Sequence, residues 1–169
     1  VAFLFMVAVV KKLRLEGYFQ DKQNIQNQQI KEPNLIKQLD IVALGTVCDV
    51  MLLTGLNRAF VAQGIKVSKQ RSNVGLRALC DVAGIEEALS CYHLGFILGP
   101  RINAGGRVGQ SSLGASLLSI DCDESAKQLA QKLDTYNNER KAIEINIIEE
   151  ATIIAESQKD QALLFVAGE

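Results

Sequence analysis

The sequence predicts an α/β fold, rich in helix, in which a long helix connects one body to the start of a second α/β domain. Three observations carry this. From Asp40 to Val50 the chain is almost continuously apolar, with several β-branched residues, the pattern of a strand buried on both faces of a parallel sheet. From Glu124 to Ser157 neither Gly nor Pro occurs, so one helix of about 50 Å is expected, at about 1.5 Å per residue. The closing run Ala162–Glu169 (ALLFVAGE) reads as a strand that has just ended.

The composition sets the bounds. The chain has 169 residues and is 48% hydrophobic, enough for a real core in one or two domains. Lys and Arg number 18 against 19 Asp and Glu, a net charge of -1, so any contact with nucleic acid must be local. Tryptophan is absent and aromatics make up 5%, which argues against a stacking platform for several bases. Cys48, Cys80, Cys91 and Cys122 form no C-x-x-C pair, and His93 is the only histidine. That argues against zinc and fits reduced thiols in a cytoplasmic protein.

Taken in order, the chain opens VAFLFMVAVV before KKLR. The apolar run is too short to span a bilayer, and its charges follow rather than precede it, so no membrane segment or signal peptide is expected. Residues 1–15 read as a buried helix ending near Gly17, without a capping residue before it. Residues 18–34 are rich in Gln and Asn, contain Pro33 and read as a polar connection, with a short helix at Asn34–Gln38. The strand follows, with Asp49 at its carboxyl end, where the crevices of parallel sheets lie. A helix from Asn57 places Phe60, Val61 and Ile65 on one face. Residues 70–73 make a turn, Val74–Val82 an amphipathic helix closed by Gly84, and Glu86–Leu98 another helix. His93, between Tyr92 and Leu94, reads as a packed or surface side chain rather than a ligand. Ser111–Ser119 is predicted helical, capped by its serines, with Leu113, Leu117 and Leu118 inward. On the long helix, Leu129, Leu133, Tyr136, Ile143, Ile147, Ala151 and Ile154 make a stripe, broken around Asn137–Arg140. Uninterrupted coiled-coil heptads therefore fail there. Both ends look cut from something longer.

Two places carry chemistry. Leu98–Gly109 holds four of the 13 glycines and one of the two prolines, with Arg101 and Arg107 bracketing Asn103, Gly105 and Gly106. Glycines let a backbone approach a ligand, and arginine presents a fork of donors suited to phosphate. The stretch reads as an ordered loop that receives an anion, or as a surface loop with two solvated arginines; it matches neither the P-loop nor the dinucleotide pattern. Asp49 reads as a ligand for Mg²⁺ or Mn²⁺, or as the cap of the next helix.

These residues have a known counterpart. Gly45-Thr46-Val47-Cys48-Asp49-Val50, Asn57-Arg58, Gly75-Leu76-Arg77-Ala78-Leu79, Leu94-Gly95-Phe96, Gly99–Arg107 (GPRINAGGR) and Asn138-Glu139-Arg140-Lys141 with Glu144 resemble, in the same order, the RecJ family of single-strand-specific 5′→3′ DNA exonucleases in the DHH phosphoesterase superfamily. Cys48 stands at a position that is usually alanine and Leu52 at one that is usually proline; neither removes a ligand.

The resemblance implies a function in DNA repair and recombination, and a DHH-type parallel-sheet catalytic domain with a bound Mn²⁺ or Mg²⁺ pair. It assigns residues 1–122 to the C-terminal part of that domain, 123–158 to a connecting helix and 159–169 to the first strand of a DHH-associated domain. It makes Asp49 a metal ligand. Arg101, Asn103, Gly105, Gly106 and Arg107 become the loop that holds the DNA backbone, with Arg107 nearest the scissile phosphate. Single-stranded DNA is the implied partner, with a single-strand-binding protein and a helicase beside it. The chain has no Asp-His-His triplet, no earlier D-x-D motif and no glycine-histidine motif. It therefore resembles the middle of such an enzyme and is expected to be inactive alone. Two other readings stand beside this one: a non-catalytic nucleic-acid-binding or interaction module, and a hydrolase of short oligonucleotides or small phosphoesters.

Overall fold

The computed structural model describes residues 1–21, 30–108, 110–158, 163, 164 and 166. Among the described residues there is no strand. The helix-rich character expected is present, and the described residues show only helices where a parallel sheet was also expected. The expectation of a closing strand within 159–169 lies mostly outside the described residues. Cα proximity divides the chain into two compact units, Val1–Ser72 with Ala88–Ser90, and Asn73–Glu87 with Cys91–Glu169.

In the first unit, α1 (Ala2–Leu15) ends at Gly17, whose φ of 72° suits glycine. Only Val10 of this helix is buried, while Leu4, Phe5, Met6, Val7 and Val9 are exposed, so the expected buried helix is a largely uncovered one. A single turn, α2 (Tyr18–Asp21), follows. The Asn34 side chain accepts from the Ile36 N–H at 3.1 Å and starts a 3₁₀ turn, Leu35–Gln38.

The run expected as a strand is α3 (Leu39–Cys48). Its buried residues, Leu39, Asp40, Ala43 and Leu44, recur at a helical period. A run apolar on every side has no period by which to choose between strand and helix. The choice is made by packing against α4 (Gly55–Ser68). At Gly64 an added Cβ would stand 2.1 Å from the Leu39 carbonyl oxygen and 2.6 Å from the Ala43 Cβ. The two helices thus meet backbone to backbone, with Val61 and Val67 of α4 buried beside that contact.

The second unit is built on α8 (Asp123–Ser157), against which α5 (Val74–Val82), α6 (Gly99–Val108) and α7 (Leu113–Ser119) pack. Asn73 caps α5, accepting from the Leu76 N–H at 2.7 Å and donating to the Leu118 carbonyl at 3.0 Å. The expected helix over 86–98 begins only at Cys91. The α7 serines make no capping side-chain bond. Along α8 the buried seam is Ala126, Ala130, Leu133 and Asn137, and residues 141–150 are exposed throughout. The expected stripe is therefore uncovered at Ile143 and Ile147, while Ala151 and Ile154 are half-buried. No helix among the described residues is long and apolar enough to cross a membrane.

Candidate nucleic-acid interface

The glycine-arginine stretch is helical, not a loop. From Cys91 the chain runs helically to Val108, with a π-helical turn over His93–Leu98 feeding directly into α6. Pro100 sits where the π-helical turn meets α6, inside the continuous helical run, and brings no N–H to the carbonyls of the preceding turn. The expectation of a loop rested on the glycines, and the structure gives some of them a packing role. A Cβ at Gly105 would lie 3.0 Å from the Gln110 carbonyl oxygen and 3.2 Å from Leu133 Cδ2, whereas Gly106 has open space around it. Gly105 lets α6 lie close to Leu133 of α8, and that packing offsets part of the helix cost of the glycine.

The two arginines differ in their surroundings. Arg101 Nε lies 2.8 Å from Asp134 Oδ1 on α8, and its Nη1 donates to the Ile97 carbonyl at 2.8 Å. Both side chains of this ion pair are well covered. Arg101 thus fixes α6 to α8 and bonds a carbonyl in the widened π turn. Arg107, by contrast, is exposed in the last turn of α6, as is Asn103 one turn earlier. No described residue forms an ion pair with Arg107.

His93 lies 3.0 Å from Glu87 through Nε2 and is mostly covered, as expected of a packed histidine. On α8, Asn137 is fully buried and neither its Nδ2 nor its Oδ1 finds a protein partner among the described residues. One turn on, Arg140 pairs with Glu144 at 2.6 Å but leaves its Nε unpartnered. The break in the apolar stripe was the sequence signal for these two residues.

Asp49 lies in the first unit, exposed, at the C-cap of α3. It does not cap the next helix, whose N-cap is Thr54. A carboxylate at a helix C-terminus sits in an unfavourable dipole field, which a cation would relieve. Beside it, the Cys48 thiol is pushed up, first by burial and then by the Asp49 charge. The Met51 N–H donates to Thr46 at 3.2 Å and the Val50 N–H to Val47 at 3.0 Å, the bond pattern of a Schellman end. Val50 therefore occupies the position glycine usually takes, with φ 53°. Sequence reasoning missed this strain. Among the described residues no three His, Cys, Asp or Glu side chains converge. Asp49 thus fits a hard divalent ion as one ligand, not as a complete centre.

No protein-family model matches the chain. The curated relatives it matches are named single-stranded-DNA-specific exonucleases. Each is a RecJ: the Escherichia coli protein is 41% identical over 158 residues and the Salmonella typhimurium protein 40% over 158, each alignment covering 92% of this chain and 26% of the relative. The crystal structure of Thermus thermophilus RecJ with Mn²⁺ superposes with a TM-score of 0.64 at 31% identity, over 73% of this chain and 18% of that one. The Mg²⁺ complex gives the same TM-score and identity and covers 20% of its chain. The chain is thus similar to a segment of RecJ over nearly all its own length, and it spans about a quarter of the length of the curated relatives it matches.

Proposed function

We propose that the chain is the central segment of a metal-dependent exonuclease specific for single-stranded DNA, acting 5′→3′ in repair and recombination. Its part is to hold the strand's backbone and to supply one metal ligand. The observation that carries this is the division of labour on α6. Arg101 is tied to Asp134, while Asn103, Gly106 and Arg107 face solvent along a helix approached through glycine. Contacts of this kind position a strand without reading its sequence.

In this reading residues 1–122 are the C-terminal part of the catalytic domain, 123–158 its connecting helix and 159–169 the first strand of an associated domain. Asp49 is one ligand of a Mn²⁺ or Mg²⁺ pair, the ions bound in the crystal structures of Thermus thermophilus RecJ. When bound, such a pair supplies an activated water and charge stabilisation for in-line hydrolysis. Arg107 holds the phosphate at which charge develops. Arg101 acts by placing α6. A single-strand-binding protein and a helicase are the accompanying partners, and the cytoplasm, where the four free cysteines stay reduced, is the location.

One carboxylate does not hold two metals, so the isolated chain is expected not to cleave. The test is a cleavage assay with Mn²⁺ on 5′-labelled single-stranded DNA, using the chain alone and then with a RecJ segment carrying an Asp-His-His triplet. No cleavage alone, with activity on addition that Asp49→Ala abolishes, is the expected result. Cleavage by the chain alone that survives Asp49→Ala would contradict the assignment. The absence of a converging ligand set favours, as a second reading, a module that binds single strands without cutting them.

A further inference from the structure

Two of the chain's nine Phe and Tyr residues are placed against each other on the surface, just ahead of the glycine-arginine helix. Tyr92 and Phe96 stack with ring centroids 5.4 Å apart and an interplanar angle of 25°. Their exposures are 62% and 74%. Tyr92 stands just before the π-helical turn and Phe96 within it. Beyond them on the same helical run, the exposed polar side chains are Asn103 and Arg107. Tyr92 and Phe96 lie one turn apart, as do Asn103 and Arg107, and all four side chains are exposed on this run. Away from these exposed side chains, Arg101 is tied inward and Leu94, Leu98 and Ala104 are buried. The exposed stripe is about 20 Å long at the rise of a helix. It has an aromatic surface at one end and a guanidinium at the other.

That pairing is the chemistry of single-strand recognition, in which a base lies on an aromatic face while its backbone meets a cation. Resting on the strand-binding reading above, we infer that Tyr92 and Phe96 form a stacking platform for one base of the strand whose phosphates Arg107 holds. Stacking is indifferent to base identity, so the platform adds affinity without adding sequence preference. Two rings suit one base. This accords with a composition too poor in aromatics for a longer track.

The test separates stacking from phosphate binding. Fluorescence anisotropy compares a labelled oligothymidine with an abasic strand of equal length and equal phosphate number, both titrated with the 169-residue chain. The expected result is tighter binding of oligothymidine by roughly five- to 150-fold, the range for one stacked base. Phe96→Leu and Tyr92→Leu should collapse that ratio toward one while leaving the abasic strand's affinity unchanged. Phe96→Tyr, which keeps the ring, should keep the ratio. Equal affinity for the two strands, or a ratio that survives both leucine variants, would overturn the platform while leaving the phosphate contacts standing. If neither strand binds, both the platform and the strand-binding reading fall.

Discussion

Val50 is a β-branched residue in the left-handed region, and the fold holds it there with two backbone bonds. Such a conformation costs roughly 1–2 kcal/mol for a residue with a Cβ. Val50→Gly is therefore expected to stabilise the first unit by about 1 kcal/mol, read as a shift of the urea midpoint at unchanged slope. Asp40 makes a different prediction. It is buried at the start of α3, and its Oδ1 accepts from the Ile41 N–H at 2.7 Å. Burial outweighs that bond and raises its carboxyl above the usual range. The folded state then holds the proton more tightly than the unfolded state. Its contribution to stability falls as pH rises from the ordinary carboxylate range through the raised value. Asp40→Asn should raise the melting temperature at pH 7 and have little effect at pH 3. A loss at pH 7 would mean that the charge itself serves the helix terminus. Cys122, the N-cap of α8, has its thiol drawn down, first by the Ser125 backbone N–H, then by the Ser125 side chain and the Glu124 backbone. Iodoacetamide should modify it at lower pH in the folded chain than in the urea-unfolded chain, as peptide mapping would show.

At the scale of elements, close helix contacts decide the local structure. Gly64→Ala would drive a methyl into the Leu39 carbonyl. A loss of about 3 kcal/mol is expected, at the top of the range for overpacking, read from chemical unfolding. Gly75 makes a similar contact, its added Cβ falling 1.8 Å from the Leu117 carbonyl oxygen where α5 meets α7. These contacts explain what could be read from sequence. Val74–Val82 was legible residue for residue, because Asn73, Gly84 and an amphipathic period all point to the same ends. Leu39–Cys48 was not, because a run apolar on every face carries no period, and the choice is made by its packing against α4. The glycines of 99–109 suggested a loop, yet Gly105 lies against Leu133 of α8. The seam of α8 runs through Ala126, Ala130 and Asn137, residues too small or too polar to mark a core face in advance. For the candidate site, the sequence offers Arg101, Asn103 and Arg107 as residues of one glycine-rich stretch. The tie from Arg101 to Asp134, and hence its difference from Arg107, became visible only in three dimensions.

Across the whole molecule, apolar surface remains uncovered in both units. On α1 it includes Phe5 and Met6, beside α3 it is Val50, Met51 and Leu52, and on α8 it is Ile143, Ile145, Ile147 and Ile148. Contiguous exposure of this kind marks interaction surfaces. The isolated chain is expected to self-associate with rising concentration in sedimentation velocity, and a monomer at every concentration would contradict this. The central claim is that the exposed face of α6 holds the backbone of a single strand. The most direct measurement is the salt dependence of binding to a labelled single-stranded oligonucleotide, for the chain and for Arg107→Ala. The account predicts a log–log slope that becomes shallower by about 0.7 in the variant, the share of one phosphate on a single strand. An unchanged slope, or binding that ignores salt, would contradict it.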